Sequence, residues 1–413
     1  MKTYILLAWR NLWRNKKRTL IAASSVLFAV LLALLMRSMQ RGYYDYMIDA
    51  SVRMYTGYIQ VHGKDYWEKR SLEESMVLSN EKVDEVKNIE GVTHIVNRFE
   101  TFSLLSHGNV TKVAQIIGIE PNEEDQITGL KSKLVEGNYL QKNSKGILLA
   151  QGLSELLNAG IGDTVVIYGQ GYHGVTAAEL VPVQGIVKFT LPELNKSFSY
   201  LSIPYAQWVF SAPGRTTSLS IMINNPKSLD RITEEIRKVF SDGEGKADAN
   251  YEVMTWEKLS PELVQSIQVD NAQGIIMLAI LYLVIAFGIF GTIMMMTAER
   301  VKEFGILISV GMKKSKLYLV TILETLFITF IGVVAGAIIS LPILLYFVAN
   351  PIPLTGEMAD AVLAWGFEPI LPFAINPGMF FAQIWTVLAI ALVSGLYPIN
   401  FIRKLKPVEA VRG

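Results

Sequence analysis

The sequence predicts an α-helical membrane protein with four transmembrane helices in a 1+3 arrangement and a large mixed α+β extracytoplasmic domain inserted between helices 1 and 2. Three observations lead there. Apolar runs at residues 20–36, 274–296, 317–347 and 379–401 reach or approach the roughly 20 residues a bilayer core requires. Between the first and second runs the chain turns polar and carries the Gly, Asn, Asp and Pro punctuation of a water-soluble domain. The composition, 51% hydrophobic and 18% charged over 413 residues, fits a membrane protein with a sizeable polar part.

Residues 1–18 set Ile5, Leu6, Trp9, Leu12 and Trp13 against Arg10, Arg14, Lys16, Lys17 and Arg18. This spacing predicts a helix lying in the inner face of the membrane, on the cytoplasmic side. Transmembrane helix 1 follows over 19–41, and the basic residues before it place the N-terminus inside. No small-residue cleavage site follows the run, so it reads as an anchor and not a removed signal. Arg37 and Arg41 end it as interfacial cations.

The extracytoplasmic domain, 42–270, is expected to have two lobes. One comes from the flanks around 50–125 and 205–258, and the other is inserted between them. Strands are predicted at 57–62, 164–168, 180–189, 198–203, 219–223 and 251–255. A further pair, 92–105 and 110–119, joins across the turn Ser106-His107-Gly108-Asn109. Helices are predicted at 80–89, 146–158 and 226–240.

Transmembrane helix 2 occupies 271–298. Because few breakers follow Pro261, its helix is expected to start outside, giving about 55 Å against roughly 30 Å of hydrocarbon. The connection 299–316 holds Arg300, Lys302, Lys313, Lys314 and Lys316, and a short basic loop stays cytoplasmic. Transmembrane helix 3, 317–348, carries Gly332-x-x-x-Gly336, a small-residue face for helix packing. It also holds Glu324, near enough to the cytoplasmic end to pair with a cation there; that reading is favoured over a proton pathway. The outer loop 349–377 has Glu357, Asp360 and Glu368 but no Lys or Arg, as expected outside. Transmembrane helix 4, 378–402, returns the basic tail 403–413 to the cytoplasm.

Glu299-Arg300-x-x-Glu303-Phe304-Gly305-Ile306-Leu307, followed by Gly311, resembles the cytoplasmic coupling segment of ABC transporter permeases of the FtsX, MacB and LolC/LolE superfamily. Residues 185–194 and 200–204 are similar to the periplasmic domains of the same permeases. Tyr397-Pro398, Arg403 and Pro407-Val408-Glu409-Ala410-Val411-Arg412 resemble the closing signature, usually written with Leu where this chain has Val411. The resemblance covers the whole chain. It implies a multi-pass inner-membrane subunit that docks on separate ABC ATPase subunits, which carry ATP and Mg, and that pairs with a second copy or a related permease. It assigns coupling to Glu299, Arg300, Glu303, Phe304, Gly305, Leu307 and Gly311. Phe304 and Leu307 would be apolar plugs in the ATPase cleft, and Glu299, Arg300 and Glu303 would make polar contacts.

The chain has no G-x-x-x-x-G-K-[ST] loop, and residues 243–246 lack its spacing and hydroxyl, so nucleotide hydrolysis belongs to a partner. There is no cysteine, and His62, His94, His107 and His173 are scattered, so no metal site, cofactor or catalytic residue is expected. A net charge of +1 gives no field for nucleic acid.

Within the superfamily, Met47-Ile48-Asp49 and Thr56-Gly-Tyr-Ile-Gln-Val-His62 look most like LolE-type lipoprotein-releasing permeases. That branch extracts acylated proteins from the inner membrane and hands them to a periplasmic lipoprotein carrier. The alternatives are MacB-like export of small molecules or peptides with a membrane-fusion adaptor, and FtsX-like signalling without transport. An acyl chain needs an apolar path, because each CH₂ resists leaving lipid by ~0.8 kcal/mol. Met36, Met39, Met47, Ile48, Leu263, Ile267 and Met277, at the outer ends of helices 1 and 2, are the candidate lining. Ordinary helix packing accounts for the same residues equally well.

Overall fold

A computed structural model describes residues 2–14, 16–241 and 250–404. The tail from 405 onward, with Pro407 to Arg412 of the closing signature, lies outside the described residues, as do residues 243–246. The chain divides into two compact units: a helical unit of Met1–Tyr46, Ser266–Pro353 and Ile370–Gly413, and an extramembrane unit of Met47–Gln265 and Leu354–Pro369.

Four helices of the described residues are long and apolar enough to cross a membrane. The first, Lys16–Ser51, runs well past the predicted end at 41 and closes in a π-helical turn at Val52–Thr56. Nothing from Arg37 to Ser51 breaks it, because the polar residues there are mostly helix-compatible. The second, Pro261–Glu299, agrees with the predicted long helix. The third runs without interruption from Lys314 to Ala349, with Pro342 inside it. The fourth differs from expectation: Pro377–Ser394 ends at Gly395 and a separate helix, Leu396–Lys404, follows. Pro398 has no N–H to offer the Ser394 carbonyl, which interrupts the helical ladder.

The helical core repeats at one-turn spacing. Val26, Val30 and Leu34 of the first helix meet Ile285, Ile289 and Ile293 of the second, with Val333 of the third and Val387 and Ala391 of the fourth. Gly332 and Gly336 face the first helix. A Cβ on Gly332 would lie 2.6 Å from the Ala23 carbonyl oxygen, and one on Gly336 would lie 2.9 Å from that of Leu27. Backbone contact this close admits only glycine.

The described residues of the extramembrane unit form, besides helices, one sheet of ten strands: β1 (Ile59–Gly63), β2 (Val92–His107), β3 (Val110–Ile119), β4 (Leu134–Gly137), β5 (Ile147–Ala150), β6 (Thr164–Gln170), β7 (Thr176–Val187), β8 (Phe198–Ser202), β9 (Ser218–Ile223) and β10 (Tyr251–Thr255). The order β10-β1-β9-β2 forms an open end. The pairings β2-β3, β3-β8, β8-β5, β5-β7, β7-β6 and β6-β2 then close a ring. The two expected lobes are therefore two ends of one sheet. The reason is β2, whose 16 residues pair with β9 through 92–98 and with β3 through 98–107. At about 3.3 Å per residue it is long enough to serve both.

The predicted helix at 146–158 is half strand, since the buried run Ile147–Ala150 forms β5 and only Gln151–Leu157 is helical. The outer loop is also more structured than expected, with a short antiparallel pairing of Ile352–Pro353 against Ile370–Leu371 and a helix at Glu357–Ala364.

Most polar groups in this core are matched; Thr56 Oγ1, His62 Nδ1, Asn97 Oδ1, Ser103 Oγ and Gln151 Oε1 are buried without a hydrogen-bond partner. Arg98 and Glu124, both almost fully buried, form a two-pronged pair with both N···O distances at 2.8 Å. His62 is buried on β1, and burial together with the nearby Arg70 charge lowers its pKa to about 3. Gln60 donates its amide to Thr56 and Ser220, so its oxygen accepts from His62 Nε2 at 2.7 Å; this fixes the neutral tautomer and leaves Nδ1 without a partner.

Candidate coupling site

The predicted coupling segment folds as a short helix, Val301–Ser309, separated from the second transmembrane helix by one residue. That residue is Arg300, whose backbone (φ −99°, ψ 10°) leaves the helical region and turns the chain. The helix ends in a Schellman motif. Gly311 (φ +102°) donates to the Ile308 carbonyl at 3.0 Å and Met312 to that of Leu307 at 2.9 Å. A Cβ at Gly311 would meet nothing, so the positive φ alone requires glycine there.

Charges bind this helix and the turn before it to three other elements. Arg300 Nη1 lies 2.5 Å from Glu324 of the third transmembrane helix, and Asn11 of the N-terminal helix Lys2–Arg14 donates to the other Glu324 oxygen at 2.6 Å. The pair is deeply placed, with side-chain exposures of 11% for Arg300 and 3% for Glu324. Arg300 Nε also reaches Glu303 at 3.2 Å. Arg14 grips both Glu303 oxygens, at 2.5 and 2.6 Å, and Arg18 pairs with Glu299. Burial pushes the Glu303 carboxyl up, but the hydrogen bonds and charges of Arg14 and Arg300 outweigh it and hold the group below the usual carboxylate range.

Phe304, expected as an apolar plug for the ATPase cleft, is turned inward. It is 1% exposed and packs with Leu317 and Ile402, flanked by Ile308, Met312 and Tyr318, all of this chain. Arg300 stands over its ring at 5.3 Å. Gly305 is buried beside it, and its carbonyl accepts from Ser309 Oγ at 2.9 Å. The exposed apolar residues are Leu307, as expected, together with Ile306 and Val310, the last 82% exposed. Helical spacing puts 306, 307 and 310 on one face. Sequence reasoning missed Ile306, Val310, Asn11, Arg14 and Arg18 as members of the site. The only signal for Arg14 and Arg18 was their place in a basic amphipathic run.

The candidate acyl lining does not form one described cluster. Met36, Met39, Ile267 and Met277 belong to the helical unit, and Met47, Ile48 and Leu263 to the extramembrane unit. Met277 is exposed and the others are half-buried. Within the helical unit, polar groups join the first two helices. Tyr44 donates to Asp270 at 2.5 Å, and Gln40 donates to Tyr44 at 2.8 Å and contacts Asp270 at 3.3 Å. Gly274 leaves room for Gln40, because a Cβ there would collide with its amide nitrogen.

Residues 19–239 match the MacB-like periplasmic core domain and residues 275–407 the FtsX-like permease C-terminal domain. The chain is an ABC transporter permease of the FtsX and MacB family. The permease is similar along almost its whole length to an uncharacterized ABC transporter permease of Methanocaldococcus jannaschii, 21% identical over 99% of this chain and 97% of that one. It is 23% identical to the lipoprotein-releasing system transmembrane protein LolC of Neisseria meningitidis, covering 79% of each. It is 22% identical to a putative hemin transport system permease protein, HrtB, of Staphylococcus haemolyticus, covering 74% of this chain and 76% of that one. Among solved structures, the extracellular domain of the transporter YknZ from Gram-positive bacteria aligns at 16% identity and a TM-score of 0.35, covering 48% of this chain and 99% of that one. The permease is thus a multi-pass inner-membrane protein whose relatives are permease subunits of ABC transporters.

Proposed function

We propose that this permease couples ATP hydrolysis on separate ATPase subunits, which hold the ATP and Mg, to extraction of lipoproteins from the inner membrane. Both termini and residues 299–316 lie in the cytoplasm in this reading, and residues 42–270 lie outside. The observation that carries it is the exposed apolar face of Ile306, Leu307 and Val310 on a helix braced by Arg14 and, at the turn before it, by Arg300. Such a face is unfavourable in water and suits a cleft on a partner. Motion of that partner would pass through Arg300 to the second transmembrane helix and through Glu324 to the third. Support for lipoprotein as the cargo comes from the LolC relatives, and the relative named for hemin transport supports MacB-like handling of a small molecule as the second reading.

Copurification from native membranes tests both parts. An ATPase chain should come with the wild-type permease and be lost from Val310→Asp. Acylated protein bound to the complex favours extraction; a small molecule or peptide with an adaptor protein favours export. A photocrosslinker at Met47 should capture acylated protein, and capture of a partner permease alone would reject Met36, Met39, Met47, Ile48, Leu263, Ile267 and Met277 as a cargo path.

A further inference from the structure

The N-terminal helix Lys2–Arg14 is apolar on two sides; one is buried by the protein, and the other stays largely open, with Trp9 meeting Phe327 edge-on at 5.7 Å. Ala8 and Leu12 are buried, Leu12 against Ala22, Ala23 and Ile328. Ile5, Leu6, Trp9 and Trp13 are exposed. Arg10 stands among these exposed apolar groups, and Lys16 and Lys17 follow at the start of the first transmembrane helix; all three are exposed and without a carboxylate partner among the described residues. Arg14 and Arg18 continue the same basic run, but they are committed to Glu303 and Glu299 of the coupling region.

We propose that this open face binds an anionic phospholipid surface, and that headgroups there compete with Glu303 and Glu299 for Arg14 and Arg18, so that bilayer charge sets how firmly the coupling helix is held. Large apolar side chains alternating with cations on a helix that leads into a transmembrane segment fit the headgroup boundary of a bilayer, and the sign of the charge selects anionic lipid. The competition is feasible because of where the pairs lie. Arg14 and Glu303 are 53% and 44% exposed, and an exposed ion pair and a cation at an anionic surface are of comparable strength. Arg300 and Glu324 are too deep to exchange with headgroups, so the coupling helix would be loosened at its outer side while staying tethered at its root. The inference rests on reading the N-terminal helix and the coupling segment as facing the same membrane surface. It does not require any ATPase.

The absence of cysteine from the sequence allows a clean probe: a spin label on Val310→Cys in the full chain, in nanodiscs of phosphatidylcholine with increasing phosphatidylglycerol. Label mobility should rise with anionic lipid and fall back as salt is added. Arg10→Gln/Lys16→Gln/Lys17→Gln should shift the response to higher phosphatidylglycerol, each cation being worth about five-fold in surface affinity. Glu299→Gln/Glu303→Gln should be mobile in both lipids. Equal mobility of the wild type in neutral and anionic discs overturns the proposal, as does an unshifted response in the triple variant. A response to soluble inorganic phosphate in neutral discs also overturns it, by making the site a free-anion site. Each of these failures leaves the permease reading standing, since that reading is decided by ATPase copurification.

Discussion

Removing either half of the Arg300–Glu324 pair should have unequal consequences, and the inequality can be worked from the geometry. In Arg300→Gln, Glu324 keeps only the Asn11 amide, and its side chain is 3% exposed. A carboxylate left without its cation at that depth costs about 3 kcal/mol. In Glu324→Gln, Arg300 keeps Glu303 at 3.2 Å, and the new amide oxygen still accepts from it. The loss there is about 1 kcal/mol, the scale of one weakened charged hydrogen bond. The double variant should cost less than the sum, because the orphaned charge of the first variant is absent. With about 2–4 °C per kcal/mol for a domain of this size, thermal unfolding followed by tryptophan fluorescence should place Arg300→Gln roughly 6–12 °C below wild type and Glu324→Gln about 2–4 °C below. If Glu324→Gln is the more damaging variant, or if the two losses simply add, Glu324 is not held by Arg300 and the site has been misread.

Other variants separate packing from docking. Phe304→Ala should lower stability by about 3 kcal/mol through the cavity left among Leu317, Ile402 and Met312, whereas Val310→Asp should leave the unfolding temperature unchanged and lose about 2 kcal/mol or more of ATPase affinity, measured by titrating the ATPase onto immobilised permease. Gly332→Ala should destabilise more than Gly336→Ala, since its Cβ meets the first helix at 2.6 Å against 2.9 Å; paired melting curves decide it. Stability of the extramembrane unit should fall with acid through His62, whose folded pKa of about 3 lies below its unfolded value near 6.5. The unfolded chain therefore binds the extra proton between those values, and about 1.4 kcal/mol is lost between roughly pH 7.5 and 5.5. His62→Phe should flatten that slope in denaturant titrations, and an unaltered slope would show that another group carries it.

Much of the fold could be read from the chain because length and period are local properties. The helix Pro261–Glu299 follows from an apolar run with no breaker, and the β2–β3 hairpin from alternation on either side of Ser106-His107-Gly108-Asn109. The β5 error has the same origin: Ile147–Ala150 is too short a run for its period to distinguish strand from helix. Nothing local marks residues 354–369 as part of the extramembrane unit, because that assignment depends on contacts such as Gly366 with Leu191. The closed ring of strands was equally hidden, since β6 meets β2 and β7 through pairings that only the assembled sheet creates.

The coupling site shows where local reading stops. Glu324 could be expected to seek a cation near the cytoplasmic end, because a carboxylate in an apolar helix has few other solutions, and Arg300 supplies it. Phe304 could not be placed: one aromatic residue in a charged connection has no period, and its neighbours Leu317 and Ile402 come from different helices. Arg14 was further out of reach, standing 289 residues from Glu303. These cases have a common physical cause. Arg300 breaks the helix at the membrane boundary, so its direction and that of Phe304 are set by what surrounds the turn and not by helical phase. Three elements converge there, and their charges are neutralised across the chain. A coupling helix held in this way can be displaced only by moving the end of the second transmembrane helix, shifting Glu324 on the third, or releasing the N-terminal helix. Of the ion pairs concerned, Arg14–Glu303 of the N-terminal helix is exposed and gives way more readily than the buried Arg300–Glu324.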